Sequence, residues 1–279
     1  MISVGFGLLS ALIWGAADFT GGIASRKTGA FRVVLFGEFV GMLVLIPVAL
    51  AVGEAIPDAK SWMQAAVAGT LGTLGLLLLY HSLATGTMSV AGPVSALMAA
   101  ILPVVVGSFT EGIPSGLTLM GFALALMAVW FVSQNQAGPR NILAHLTDLR
   151  LPLLAGVGFG CYFVLIHSAA RESTLWPMLV SRGAGLMVVA LFILLRRDSY
   201  RVPRSAWPII ALNGILDIGG NAFYILAGQS GRMDVSAVLS SLYPGATVVL
   251  AWFVLKERLS RTQWFGIGAA LVAIVLFTQ

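Results

Sequence analysis

The sequence predicts an all-α integral membrane protein in which ten transmembrane helices form two five-helix repeats of inverted topology. Three observations carry this expectation. Hydrophobic residues make up 58% of the 279 and charged residues only 10%, far below the roughly 25% charge of a soluble domain. Apolar runs of bilayer-spanning length recur along the whole chain. The two halves also align with each other at an offset of about 145 residues, the mark of an internal repeat. Ten spans of roughly 20 residues consume about 200 positions and leave only short connections. That excludes a soluble enzyme, a nucleic-acid-binding protein and a receptor with a folded ectodomain. The single cysteine, Cys161, cannot form an internal disulfide.

The first apolar run, 2–24, lies ahead of Arg26, the first basic residue of the chain. A cleaved leader would carry basic residues before its apolar stretch, so this run is expected to remain as a span. Runs at 33–52, 62–84, 88–109, 116–133, 151–170, 176–195, 206–228, 235–255 and 262–278 complete the ten. Each is expected to be helical, because a lone segment in lipid must satisfy its own backbone hydrogen bonds. The formal charge of +5 belongs to one membrane face rather than to a nucleic-acid site. Of the 16 Lys and Arg residues, all but four fall in the loops after spans 1, 3, 5, 7 and 9; Lys60, Arg171 and Arg232 lie in the other loops and Arg182 lies inside a span. The positive-inside rule then places the odd-numbered loops in the cytoplasm. Both termini are expected on the far side of a cell (inner) membrane crossed many times.

The repeat follows the spans. Residues 8–19 match 153–164, pairing Trp14 with Phe159 and Gly15 with Gly160. Residues 37–41 match 181–185, Gly75 and Tyr80 match Gly219 and Tyr224, and Gly121 matches Gly266. Glu111 matches Lys256 or Glu257. The expected units are a first repeat at 1–133, a cytoplasmic linker at 134–150 and a second repeat at 151–279. Five spans per unit is an odd number, so the second unit enters the bilayer from the opposite side. Such inverted repeats are used for alternating access to a site near the membrane midplane. Pro93, Pro103 and Pro244 interrupt the ninth span and its counterpart, the fourth.

The segment LIWGAADF in span 1 and the run FVLKERLSRTQWFGIGAALV (253–272) resemble the drug/metabolite transporter superfamily of the EamA-like ten-helix type. Pro244 followed by Glu257, and FTEGIPSGLTLMGFALAL (109–126) with Glu111 and Gly121, fit the same pattern. The resemblance covers the whole chain and implies a ten-helix transporter of small solutes, not an enzyme. It departs in span 2, where such proteins often carry a basic residue and this chain has Glu38.

An ionisable side chain at membrane depth costs at least about 2.5–3.5 kcal/mol, so it faces the protein interior or water. Asp18, Glu38, Arg182 and Asp217 are such groups. Glu38 and Arg182 occupy equivalent places in the two halves, either as a structural ion pair or as solute ligands. Asp18 stands one helical turn after Trp14, so both share a face. A carboxylate beside an indole suits an amine or quaternary ammonium group. Tyr80, Tyr224, Tyr162 and Phe159 are expected to add rings from repeat-related positions. Asp217 and Asn221 share a face of span 8, one turn beyond Asn213. His81 and His167 are candidate proton relays. No cofactor or metal is expected: the sequence has no GxxxxGK[ST], no HExxH and no metal-spaced Cys/His cluster.

The expected partners are a small-molecule solute, the lipid bilayer and, as a coupling ion, protons; no nucleic acid is expected. The lead expectation is a secondary transporter, exporter or exchanger, of an amino acid or similar zwitterion, with Arg182 for a carboxylate and one acid for an amine. The alternative solute is a cationic amine or quaternary ammonium compound. A membrane-embedded enzyme acting on a lipid-linked substrate, and a channel or scaffold, are the contrasting classes.

Overall fold

The computed structural model describes residues 1–85, 88–132, 150–196, 200–255 and 259–277. The expected linker 134–150, apart from Arg150, and the positions Arg197, Lys256, Glu257 and Arg258 lie outside the described residues. Among the described residues the regular structure is helical throughout. The helices are α1 (Ile2–Thr28), α2 (Ala30–Val52), α3 (Ala59–Thr85), α4 (Met88–Thr110), α5 (Gly116–Val132), α6 (Arg150–Ala169), α7 (Leu175–Arg196), α8 (Trp207–Gln229), α9 (Met233–Ser240), α10 (Tyr243–Leu255) and α11 (Arg261–Phe277), with a short 3-10 turn at Arg204–Ala206. Among the described residues seven stretches are long and apolar enough to cross a bilayer, the last running through α9 and α10; apolar helices at Val94–Thr110, Gly116–Val132 and Arg261–Phe277 are shorter. Large apolar side chains such as Leu43, Leu50, Met63, Leu154, Met187 and Leu271 are exposed on the outside, as lipid permits and water does not.

Two boundaries differ from the sequence expectation. Helix α1 runs through Arg26 and Lys27 and stops only at Gly29, whose φ of 87° and N–H to the Ser25 carbonyl (2.8 Å) end it. Basic residues in a last turn complement the helix dipole and do not end a helix; a residue with positive φ does. The ninth span is broken at Ser241 and Leu242 into α9 and α10. Pro244 sits in the first turn of α10, where its missing N–H leaves no helical bond unmade. Pro103, in contrast, lies inside α4 without ending it.

The halves pack against each other rather than side by side. Helix α1 lies on α8, α3 on α6 and α7, α2 on α7 and α8, α4 on α6, and α5 on α11. Glycine sets the closest crossings, since lipid supplies no hydrophobic drive and small residues let backbones meet. A Cβ on Gly69 would sit 2.0 Å from the Ser181 carbonyl oxygen, and one on Gly214 would sit 2.5 Å from the Gly37 oxygen.

One end of the bundle is tied by polar contacts between the halves. The Glu54 carboxylate accepts from the Ser173 hydroxyl (2.7 Å) and from the Thr174 and Leu175 N–H groups (2.9 and 2.7 Å), capping the start of α7. The Trp176 indole N–H donates to the Glu54 carbonyl at 3.0 Å. Glu111 accepts from the Met233 N–H at the start of α9. Arg232 spans from Asp234 (2.7 Å) to the Gly112 carbonyl (2.8 Å). Burial raises the Glu111 carboxyl above the ordinary glutamate range, opposed by the Met233 N–H. Replacing Glu54 with alanine strips three donors of their acceptor and is expected to cost about 1 kcal/mol. A thermal melt of the purified variant checks this; a melting temperature equal to wild type would mean the cap holds nothing.

Candidate functional site

A cavity with about 720 Å³ of empty space, part of it open to solvent, lies at mid-length of the helices between α1, α2, α3, α6, α7, α8 and α10. Eight of the eleven residues nominated from sequence line it: Trp14, Asp18, Glu38, Phe159, Tyr162, Arg182, Asp217 and Asn221.

The charged wall is built from two matching short motifs. In α2, Glu38 is followed three residues later by Gly41; in α7, Arg182 is followed by Gly185. A Cβ on Gly41 would meet the Arg182 guanidinium at 2.8 Å, so glycine is what lets that group lie across α2. A Cβ on Gly185 would meet the Thr73 hydroxyl at 2.1 Å. Arg182 Nη1 donates to Glu38 Oε2 at 2.7 Å, and Nη2 donates to Asp217 Oδ2. The network continues on both sides. Thr73 donates to Glu38 Oε1 at 3.3 Å. Asn221 donates to the Asp217 carbonyl at 2.6 Å and to its Oδ2 at 3.2 Å, and Tyr162 donates to Asn221. Glu38 and Arg182 are only 7% and 6% exposed. A buried charge so placed needs its partners, because the interior gives it no water.

Asp18 differs. Its carboxylate lines the cavity from α1 and has no hydrogen-bond or ion-pair partner among the described residues. The wall beside it is aromatic. Trp14 stacks on Phe163 (centroids 5.5 Å apart) and on Tyr224 (5.9 Å), which fixes the plane of its ring. Tyr243 reaches the cavity with its hydroxyl already bonded to Ser95 at 3.0 Å and to the Gly92 carbonyl at 3.3 Å.

Three nominated residues lie elsewhere. Tyr224 is wholly buried behind Trp14 and donates to the Phe163 carbonyl at 3.0 Å. Tyr80 is buried behind the wall and accepts from Asn213 at 2.9 Å; Asn213 also donates to the Ala17 carbonyl at 2.8 Å. These tyrosines and Asn213 therefore join helices and do not face solute. His81 is exposed, away from the cavity, because the next residue after Tyr80 points about 100° around the helix. His167 stands near the tied end, 3.8 Å from Glu111. Thr73, Ser181, Phe163, Tyr243, Gly69 and Gly72 line the cavity without having been nominated.

The sequence profile of the EamA-like transporter family matches residues 1–134 and 149–279. The chain belongs to the EamA-like transporter family. It is thus a multi-pass membrane protein and a membrane transporter of the drug/metabolite transporter superfamily. Members of that family are transporters rather than enzymes. An uncharacterized protein of Methanocaldococcus jannaschii is 26% identical to this EamA-like chain over 132 residues, 47% of this chain and 96% of that protein. A crystal structure of another protein shares the fold, with a TM-score of 0.77 at 19% identity, over 99% of this chain and 96% of that one.

Proposed function

We propose that this EamA-like protein is a secondary carrier that moves a small polar metabolite by alternating access. The cavity is its solute site, and 1–133 and 151–279 are two inverted repeats joined by a cytoplasmic linker. The observation that carries this reading is the recurrence of contacts between the halves in pairs about 145 residues apart, with Trp14 and Phe159 of one such pair both lining the cavity. Phe159 packs on Gly75 as Trp14 packs on Gly220; Ser181 meets Gly69 as Gly37 meets Gly214; Phe277 meets Gly121 as Val132 meets Gly266. A twofold axis in the membrane plane would generate each second contact from the first. Gly75 thus pairs with Gly220, one residue beyond the Gly219 that sequence alignment suggests. The archaeal relative, matched over nearly its whole length by 132 residues, has about the length of one such repeat.

In this reading the three shorter apolar helices also span, and α9 with α10 forms the ninth span. Both termini then lie outside the cell membrane. The chain carries no nucleotide-binding motif, so export or exchange draws on a solute or ion gradient, with protons as a coupling ion that the cavity acids suit. A zwitterion such as an amino acid would place its carboxylate on Arg182, whereas a cationic amine would need a free acid.

Solute counterflow in proteoliposomes tests the carrier. Vesicles preloaded with unlabelled solute should take up the labelled solute faster than empty ones, and the rate should saturate. Flux that rises linearly with concentration and ignores the internal solute marks a channel and ends this reading. Reporter tags at the two ends should locate to the same face.

A further inference from the structure

We infer that the solute is a net cation, its charge on nitrogen with no carboxylate of its own, and that Asp18 is the carboxylate that receives it. This rests on the carrier reading and narrows it. The first ground is that Arg182 is already engaged. One of its nitrogens holds Glu38 and the other holds Asp217. A solute carboxylate approaching this guanidinium would be the third anion around a single cation, in a wall that excludes most water. The like charges would repel it more strongly than in water, since the interior screens them less.

The second ground is Asp18 itself. It lines the same cavity from another helix, and no side chain or backbone group among the described residues bonds to it. With Asp18, Glu38 and Asp217 ionised against Arg182, the formal sum of the wall is −2. Net negative charge at membrane depth demands a counter-charge. Among the described residues none stands beside Asp18, so the solute or a proton must supply it.

The third ground is the surface around that carboxylate. Trp14 stands one turn before Asp18 on α1, and stacking on Phe163 and Tyr224 holds its ring in place. The Tyr243 hydroxyl is spent on Ser95 and Gly92, so Tyr243 offers the cavity its ring rather than a free donor. Electron-rich faces beside an unpaired carboxylate recognise an alkylammonium or quaternary ammonium group, by charge and by cation–π attraction. They offer nothing matched to an anion. Discrimination against anions comes from the same acids that attract the cation.

The test uses the full chain in lipid nanodiscs and proteoliposomes, with labelled tetraethylammonium and phenethylamine as cationic probes, leucine as the zwitterion and succinate as the anion. Both cations should bind wild-type protein saturably, and leucine and succinate at least about tenfold more weakly, because each brings a carboxylate to a wall whose guanidinium is already shared by Glu38 and Asp217. Asp18→Asn should weaken cation binding by about tenfold or more with an unchanged melting temperature, and Asp18→Glu should retain most of it. The wild-type preference among the four probes needs no variant, so it decides even if Asp18→Asn fails to fold. Equal cation binding by wild type and a folded Asp18→Asn protein overturns the role of Asp18. Tight binding of leucine or succinate with no cation binding overturns the solute class; saturable counterflow of those solutes would then leave the carrier reading standing. Absence of binding by either cation also overturns the inference, and the carrier reading falls separately only on non-saturating flux.

Discussion

Replacing Arg182 with alanine is expected to abolish counterflow and to lower the melting temperature more than any other single substitution in the cavity wall. Arg182 holds Glu38 at 2.7 Å and also holds Asp217. Without it, two carboxylates face each other's charge with no cation between them. Removing one partner of a buried ion pair costs about 3–5 kcal/mol, mostly through the charge left behind. The same physics predicts a rescue. The triple variant Glu38→Gln, Arg182→Met, Asp217→Asn removes all three charges at similar volume, and buried ionic clusters replaced by neutral groups are often no less stable. Its melting temperature should return most of the way to wild type while transport stays lost. A single Arg182→Ala protein that melts with wild type would mean that the three groups are not coupled in lipid.

The second large effect is expected at Gly69. An alanine there would place its Cβ 2.0 Å from the Ser181 carbonyl oxygen and 2.5 Å from that residue's Cα. Backbone cannot swing aside as a side chain can, so α3 and α7 must separate. Overpacking of this kind costs about 1–3 kcal/mol or more. Gly183→Ala, on α7 but facing α2, is the control: its Cβ would find only Met42 Cε, at 3.9 Å. That change should be neutral or stabilising by up to about 1 kcal/mol, the helix propensity difference. Thermal melts of the two variants side by side decide the matter. Equal stability would mean the α3–α7 crossing is looser than these distances require.

Much of the architecture was legible because lipid imposes strict terms on sequence. A backbone in hydrocarbon must bond to itself, so long apolar runs report helices. The four charges at depth were legible for the same reason: hydrocarbon makes them conspicuous. Glu38, Arg182, Asp217 and Asp18 all reach one cavity. What the sequence hid was chosen by packing. Thr73, Ser181 and Phe163 are residue types that any membrane helix uses, and nothing local marks the ones that meet a cavity. Tyr80 and Tyr224 misled for a related cause. Both are buried, and each spends its hydroxyl joining helices behind the wall. His81 misled by adjacency, because neighbours in a helix do not share a side. The helix ends at Gly29 and Ser241 needed backbone geometry that composition does not report.

Arg182 has one holder in each half of the chain, Glu38 on α2 and Asp217 on α8. In the carrier proposed above, parting of the halves would release the guanidinium from Glu38 while Asp217, in its own half, keeps hold of it. The positive charge would then keep one partner rather than be stranded in oil. The obstacle to movement would shrink from baring an ion to opening one of its two bonds, and the speed of the proposed cycle would depend on how firmly Glu38 grips.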